Sequence, residues 1–198
     1  VLAVVVARPS SAASLVASNS NWRYFPGTSE ASTPTNLWRM PGFDDSTWAT
    51  GAAPLHYGTN ALGGDDWVTG GTILAGMSNN YSCLFLRSTF VIPDTNLLLS
   101  LSLGFVVDDG LVVWLNGTQV RSVRMGAGVS YTNVASAQGE ANVIGSNDLM
   151  PYRTNLLNGT NVLAVQGFNY GATNEDFRVA AWLDFTEREV VPPRIAEV

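Results

Sequence analysis

Three adjacent aspartate pairs are the first residues able to do chemistry: Asp44-Asp45, Asp65-Asp66 and Asp108-Asp109. Neighbouring carboxylates can share acid–base work, bind calcium or accept the hydroxyls of a sugar. The pair in PGFDDSTW suits the cap of a helical turn, because an Asp side chain accepts the unpaired N–H groups there. The pair in VVDDGLVVW suits a turn, with Gly110 in a conformation that other residues avoid. Local structure does not account for the pair in GGDDWVTGG. There Asp65, Asp66 and Trp67 stand together in a Gly-rich stretch, where the indole can stack on a sugar ring while the carboxylates accept its hydroxyls. The competing expectation is that Trp67 packs back onto the domain.

Other chemistry is thinly represented. Cys83 is the one cysteine, which excludes an intrachain disulfide and Cys-based zinc or redox motifs and makes it a small core residue beside Leu84 and Phe85. His56 is the one histidine, so His-cluster metal sites are excluded. No nucleophile elbow, P-loop, EF-hand loop or dinucleotide fingerprint occurs. Paired carboxylates suffice for glycoside hydrolysis, yet no Glu occupies a recognisable strand-end position. The sequence therefore predicts a protein that is not an enzyme and needs no cofactor. The Asn-X-Ser/Thr triplets at Asn80, Asn116 and Asn158 matter as glycan acceptors only in a glycosylating host, and the last two read as Asn-Gly turns.

Composition narrows the partners. The chain has 198 residues and a net charge of -6, and all ten basic residues are arginine. Nucleic acid demands a basic face, and anionic lipid does too, so both are disfavoured. Charged residues make up 13%, against about 25% in an ordinary soluble domain, and mean hydropathy is slightly positive. Either part of the surface is covered by another molecule, or Ser, Thr, Asn and Gly coat it. No apolar run approaches the ~20 residues needed to span a bilayer.

These residues must be positioned by strands. No stretch carries a convincing helical period, while short β-branched and aromatic runs recur between turn residues. Strands are predicted over 15–17, 22–25, 83–92, 97–107, 111–116, 118–124, 129–136, 161–169 and 177–186. Asn116-Gly117 between two such runs signals a tight hairpin, since both turn positions need positive φ. A second turn is expected at Asp109-Gly110, making 105–107, 111–116 and 118–124 consecutive antiparallel strands. Val113 and Leu115 then face the core, opposite Val112 and Trp114. Residues 55–81 read as a long Gly-rich surface excursion. The expected fold is all-β, an antiparallel sandwich.

Four stretches carry a family resemblance: FDDSTW (43–48), FVVDDGLVVWLNGTQV (105–120), GTNVLAV (159–165) and DFRVAAWLDF (176–185). Together they resemble the galactose-binding-like jelly-roll modules of secreted bacterial glycoside hydrolases and large surface proteins. The resemblance covers about 15–186 and implies an extracellular or cell-surface, non-catalytic sandwich that binds carbohydrate in many cases and calcium in some. Two positions depart from it. Gln166 stands where an acidic residue often follows the Leu-Ala-Val run, and His56 interrupts a usual Gly-rich turn.

The ends stand apart from this body. Val1, Leu2, Ala3, Val4, Val5, Val6 and Ala7 form an apolar run, 8–14 read as a flexible tether, and 187–198 as a Pro-stiffened extension. A strand apolar on both sides belongs where both faces are covered. The division is thus 1–14 strand and tether, 15–186 sandwich, 187–198 extension. The leading expectation is a structural subunit that donates residues 1–7 to a neighbouring copy and builds an open filament or surface layer. The alternative is a carbohydrate-binding module with polysaccharide as its partner. A signal-peptide remnant also accounts for the apolar leader.

Overall fold

The computed structural model describes residues 8–9, 12–58, 70–126, 128–139 and 145–189. Thirteen strands run through these residues. They are β1 (Arg8–Pro9), β2 (Ala13–Val16), β3 (Asn21–Pro26), β4 (Ala49–Ala52), β5 (Leu55–Tyr57), β6 (Thr72–Ile73) and β7 (Cys83–Ile92). After them come β8 (Leu98–Asp108), β9 (Gly110–Leu115), β10 (Thr118–Val123), β11 (Gly145–Asp148), β12 (Gly159–Phe168) and β13 (Phe177–Glu189). Three short 3-10 turns, at Leu37–Arg39, Thr95–Leu97 and Met150–Asn155, are the helical elements among the described residues. No helix there is long and apolar enough to cross a membrane.

The strands form two sheets. One has the order β11-β8-β13-β5-β6, with β1 and β2 also pairing to β13; the other has the order β10-β9-β12-β7-β3-β4. Nearly all pairings are antiparallel, β5 with β6 being parallel. Leu84, Leu103, Phe105, Val113, Leu163 and Phe177 fill the space between the sheets. The chain is an antiparallel β-sandwich.

The six-stranded sheet is buried on both faces. Strand β9 shows how: Leu111, Val113 and Leu115 enter the core between the sheets, while Val112 and Trp114 enter a second cluster on the outer face. The expected alternation holds, and the side opposite the core is covered as well. Its cover comes from the 27–48 segment, whose Trp38 and Trp48 pack with Phe85 and Trp114. Trp38 meets the rings of Phe85 and Trp114 edge to face at 5.1 and 5.4 Å, the geometry in which one ring's positive edge meets another's negative face.

A buried guanidinium fastens that cover. Arg87 on β7, 2% exposed, donates from Nε to Asp45 at 2.7 Å and from its terminal nitrogens to the carbonyls of Trp38, Met40 and Phe43. Asp45 also lies 3.9 Å from Arg23. Its neighbour Asp44 accepts the Ser46 N–H at 3.0 Å, which closes a turn rather than capping a helix. That hydrogen bond holds the Asp44 carboxyl below its ordinary pKa.

Several local expectations are corrected. Asn116-Gly117 does make the β9–β10 hairpin, with φ of 48° and 87°. Asp109-Gly110 does not make a hairpin: β8 pairs with β11 and β13, β9 with β10 and β12. The chain passes from one sheet to the other there. Gly110 is absent from the positive-φ residues; a β-carbon on it would sit 3.0 Å from both Ala135 Cβ and Met125 Sδ, so close approach is its reason. Residues 129–136 are not a strand, and Val129, Tyr131 and Ala135 pack onto the outer aromatic cluster from a loop. The 55–81 excursion is anchored by β5 and β6 and by Leu74, Met77 and Tyr81 in the core. Of the 8–14 segment, expected as a flexible tether, Arg8–Pro9 and Ala13–Ser14 are instead strand residues paired with β13 of their own chain. Val1–Ala7 lie outside the described residues.

Candidate functional site

Strand β13 carries the site because its two faces differ. Phe177, Val179, Ala181 and Leu183 point into the core, so Arg178, Trp182 and Asp184 face outward by the two-residue period of a strand. The strand's neighbours then leave a space. On one flank β8 pairs with it from Arg178 to Glu187. On the opposite flank β5 covers Phe177–Val179 and β2 covers Leu183–Phe185. Between these the chain has left for the other sheet after Val16 and returns at Leu55.

A groove of about 580 Å³ opens at that interruption. Its floor is Ala180 and Val106, its ends are Arg178 and Trp182, and Ser18 and Asn19 stand on the side where the chain departs. Gly70 and Gly71 stand on the side where it returns, beside Ala53 and Pro54. The glycines are needed there: Gly71 has φ +84°, and a β-carbon on it would lie 2.2 Å from the Pro54 carbonyl oxygen. The volume lies within the range of small-ligand clefts.

Trp182 is held half-buried by Gly104 on β8. A β-carbon on Gly104 would lie 2.1 Å from Cε2, 2.3 Å from Nε1 and 2.4 Å from Cζ2 of the indole. Nε1 and Cζ2, both bonded to Cε2, lie farther from that point than Cε2 does, so the point is over the ring face and not in the ring plane. The indole rests on bare backbone. That contact leaves an apolar plate beside a polar-rimmed groove, the arrangement that stacks on the C–H face of a sugar.

Arg178 supplies the charge. Its Nε is buried with no hydrogen-bond partner, and the ion pairs among the described residues join Asp45 to Arg23 and Arg87. Its cross-strand neighbours are His56 and Asp108. Burial holds the His56 imidazole below its ordinary pKa, the Gly70 backbone offsets part of this, and the Arg178 charge adds to it.

The acidic end of the sandwich is committed to holding loops. Asp109 accepts the N–H groups of Gly139 at 2.8 Å and Tyr170 at 2.7 Å. Tyr57 donates to the Asn174 carbonyl at 2.8 Å and accepts from Asn169 at 2.7 Å, and burial pushes its hydroxyl up to about 12. Cys83 is fully buried, and burial pushes its thiol up to about 12, so it is no nucleophile. Gln166 beside it is buried too, its amide 3.6 Å from the Cys83 sulfur. Among the described residues no three His, Cys, Asp or Glu side chains converge to hold a metal.

Asp65, Asp66 and Trp67 lie outside the described residues. Their segment joins Gly58 to Gly70, and Gly70 lines the groove. Trp182 and Arg178 went unnoticed as site residues because DFRVAAWLDF reads first as a core strand. The signal was present in the alternation: an indole and a guanidinium fall on the strand's non-core face.

No family model and no curated protein matches the chain. Solved structures do. Bacteroides uniformis beta-glucuronidase 2, covalently bound to cyclophellitol-6-carboxylate aziridine, aligns with a TM-score of 0.53 at 16% identity over 88% of this chain. A Bacteroides uniformis beta-glucuronidase aligns with a TM-score of 0.53 at 17% identity over 88%, and one from an uncultured Clostridium sp. with 0.51 at 13% over 94%. The chain spans 18%, 18% and 30% of those proteins. At such identities the likeness is one of fold. The strand order and these alignments show that the chain is an antiparallel β-sandwich sharing its fold with part of those enzymes.

Proposed function

We propose that this chain is a non-catalytic carbohydrate-binding module of a longer extracellular or cell-surface protein, and that it binds sugar in the β13 groove. The carrying observation is Trp182, a half-buried indole resting on Gly104 at the mouth of a groove rimmed by Ser18, Asn19 and Arg178. Aromatic plates with a few convergent polar groups are the usual means of sugar capture in water. The solved structures similar in fold are glycoside-cleaving enzymes far longer than this chain, which supports a module serving a larger carbohydrate-active protein.

Strand donation by Val1–Ala7, expected because that run is apolar on both sides, has no observation in its favour among the described residues. The strands that follow that run, Arg8–Pro9 and Ala13–Val16, pair with β13 of the same chain. Structural calcium has no observation in its favour among the described residues.

The test is a glycan array followed by calorimetric titration of any ligand found. Trp182→Ala is expected to lower affinity at least ~10-fold, in the range of a central aromatic contact, while far-UV circular dichroism is unchanged. Trp67→Ala, measured beside it, reports whether the 59–69 segment joins the site. An intact protein that binds no glycan, or a Trp182→Ala variant that binds as well as the parent, sinks the reading.

A further inference from the structure

The groove carries one formal charge among its described lining residues, and that charge is positive. Ser18 and Asn19 offer neutral hydrogen-bonding groups, Trp182 offers its face, and no described carboxylate lines the cavity. Arg178 is the cation. Arg87 is spent on Asp45 and three carbonyls, Arg23 on Thr50 and the Trp48 carbonyl, Arg124 on the Asp109 and Gly139 carbonyls, and Arg153 on the Thr95 carbonyl. The Nε atoms of Arg178, Arg39 and Arg121 are buried without a hydrogen-bond partner, and of these three arginines Arg178 is the one that lines the groove. A guanidinium that a strand holds beside an open groove matches the planar, bidentate geometry of a carboxylate.

Resting on the carbohydrate reading, we infer that the groove selects acidic sugars: a uronate ring stacks on Trp182 while its carboxylate pairs with Arg178. The overall charge sharpens the point. At a net charge of -6 the protein as a whole repels a polyanion, so any acidic glycan it holds must be held by a local cation. Screening then cuts both ways. Added salt weakens the Arg178 pair and also relaxes the general repulsion, so salt dependence alone does not report on the site. A comparison of ligands that differ only at the carboxyl group does.

The experiment titrates the intact protein with polygalacturonate, hyaluronan and alginate, and with the carboxyl-reduced product of each polymer it binds. Carboxyl reduction is expected to lower affinity about 10- to 100-fold, the loss that follows removal of a charged hydrogen-bond partner. Arg178→Gln should lower uronate affinity to the level of the reduced polymer and leave affinity for the reduced polymer unchanged. The ligand comparison uses the unaltered protein, so it stands even if that variant misfolds. Equal or tighter binding of the reduced polymer overturns the inference while leaving the carbohydrate reading intact. Binding of neutral glycans with none of the three uronates does the same. If no glycan of either kind binds, both fall together.

Discussion

Gly104 and Trp182 are packed face to backbone, with the place of a glycine β-carbon lying 2.1 Å from the indole. The two residues sit opposite each other on β8 and β13. The absent side chain on one strand therefore sets the height and tilt of the aromatic plate on the other. Gly104→Ala must lift the ring off the sheet. Overpacking of this kind costs about 1–3 kcal/mol. We expect a lower urea midpoint, a red-shifted tryptophan emission, and loss of sugar affinity comparable to that of Trp182→Ala. A Gly104→Ala variant with parental emission would show that the indole is not seated on this glycine.

Asp45→Ala removes the carboxylate from a guanidinium that stays buried. Arg87 keeps the carbonyls of Trp38, Met40 and Phe43, so the loss should approach that of one hydrogen bond to a charged group, about 1.5–3 kcal/mol. Near-UV circular dichroism should fall as the Trp38–Trp48 layer loosens, because the ion pair fastens that layer. Equilibrium urea unfolding measures the first effect and the aromatic spectrum the second.

Gly117→Ala strains the β9–β10 hairpin twice. The position has φ +87°, and the new β-carbon would meet Met40 Sδ at 2.2 Å. The left-handed conformation alone costs an alanine about 1–2 kcal/mol, and Met40 must also move. Hydrogen exchange of the β10 amides should accelerate more than that of β12, which has partners on both sides.

Stability should decline as pH falls below neutrality, with His56 as a source. Burial lowers its folded-state pKa, so below the ordinary imidazole value the unfolded chain takes up the proton first. Stability is therefore full above that ordinary value of about 6.5 and is lost as pH drops toward the folded-state value. His56→Gln should flatten the urea midpoint across pH 7.5 to 5.5. An equally steep decline in that variant would assign the effect to other groups.

The strands that stood out in the sequence are those whose side chains alone declare a pattern. The runs CLFLRSTFVI, NVLAVQGF and FRVAAWLDF are long and β-branched or aromatic at regular spacing. The missed strands β1, β4, β5, β6 and β11 are two to four residues long. They are strands because a distant partner pairs with them, and ATGA has no local property that reports β3 beside it. The turn at Asp109-Gly110 shows a related limit. A bend that reverses a strand within one sheet and a bend that carries it to the opposite sheet use the same residues, and only the long-range pairing of β12 and β13 separates them. Val129 and Tyr131 misled in the other direction, being apolar because they cover an aromatic layer rather than because they extend a sheet. The groove belongs to this class of non-local feature: it exists where two strands fail to meet along β13.

Strand β13 joins β8 to β5 and β2, which pair with it and not with one another. During synthesis, β2 and β5 leave the ribosome more than a hundred residues before the strand that gathers them. Until Phe177–Glu189 emerges, the apolar faces of β5 and β8 have no common neighbour. All strands of the six-stranded sheet are made once β12 is complete at residue 168. Chain order therefore predicts that the seven-stranded sheet closes late, and that a chain held on the ribosome before Phe177 is prone to aggregation.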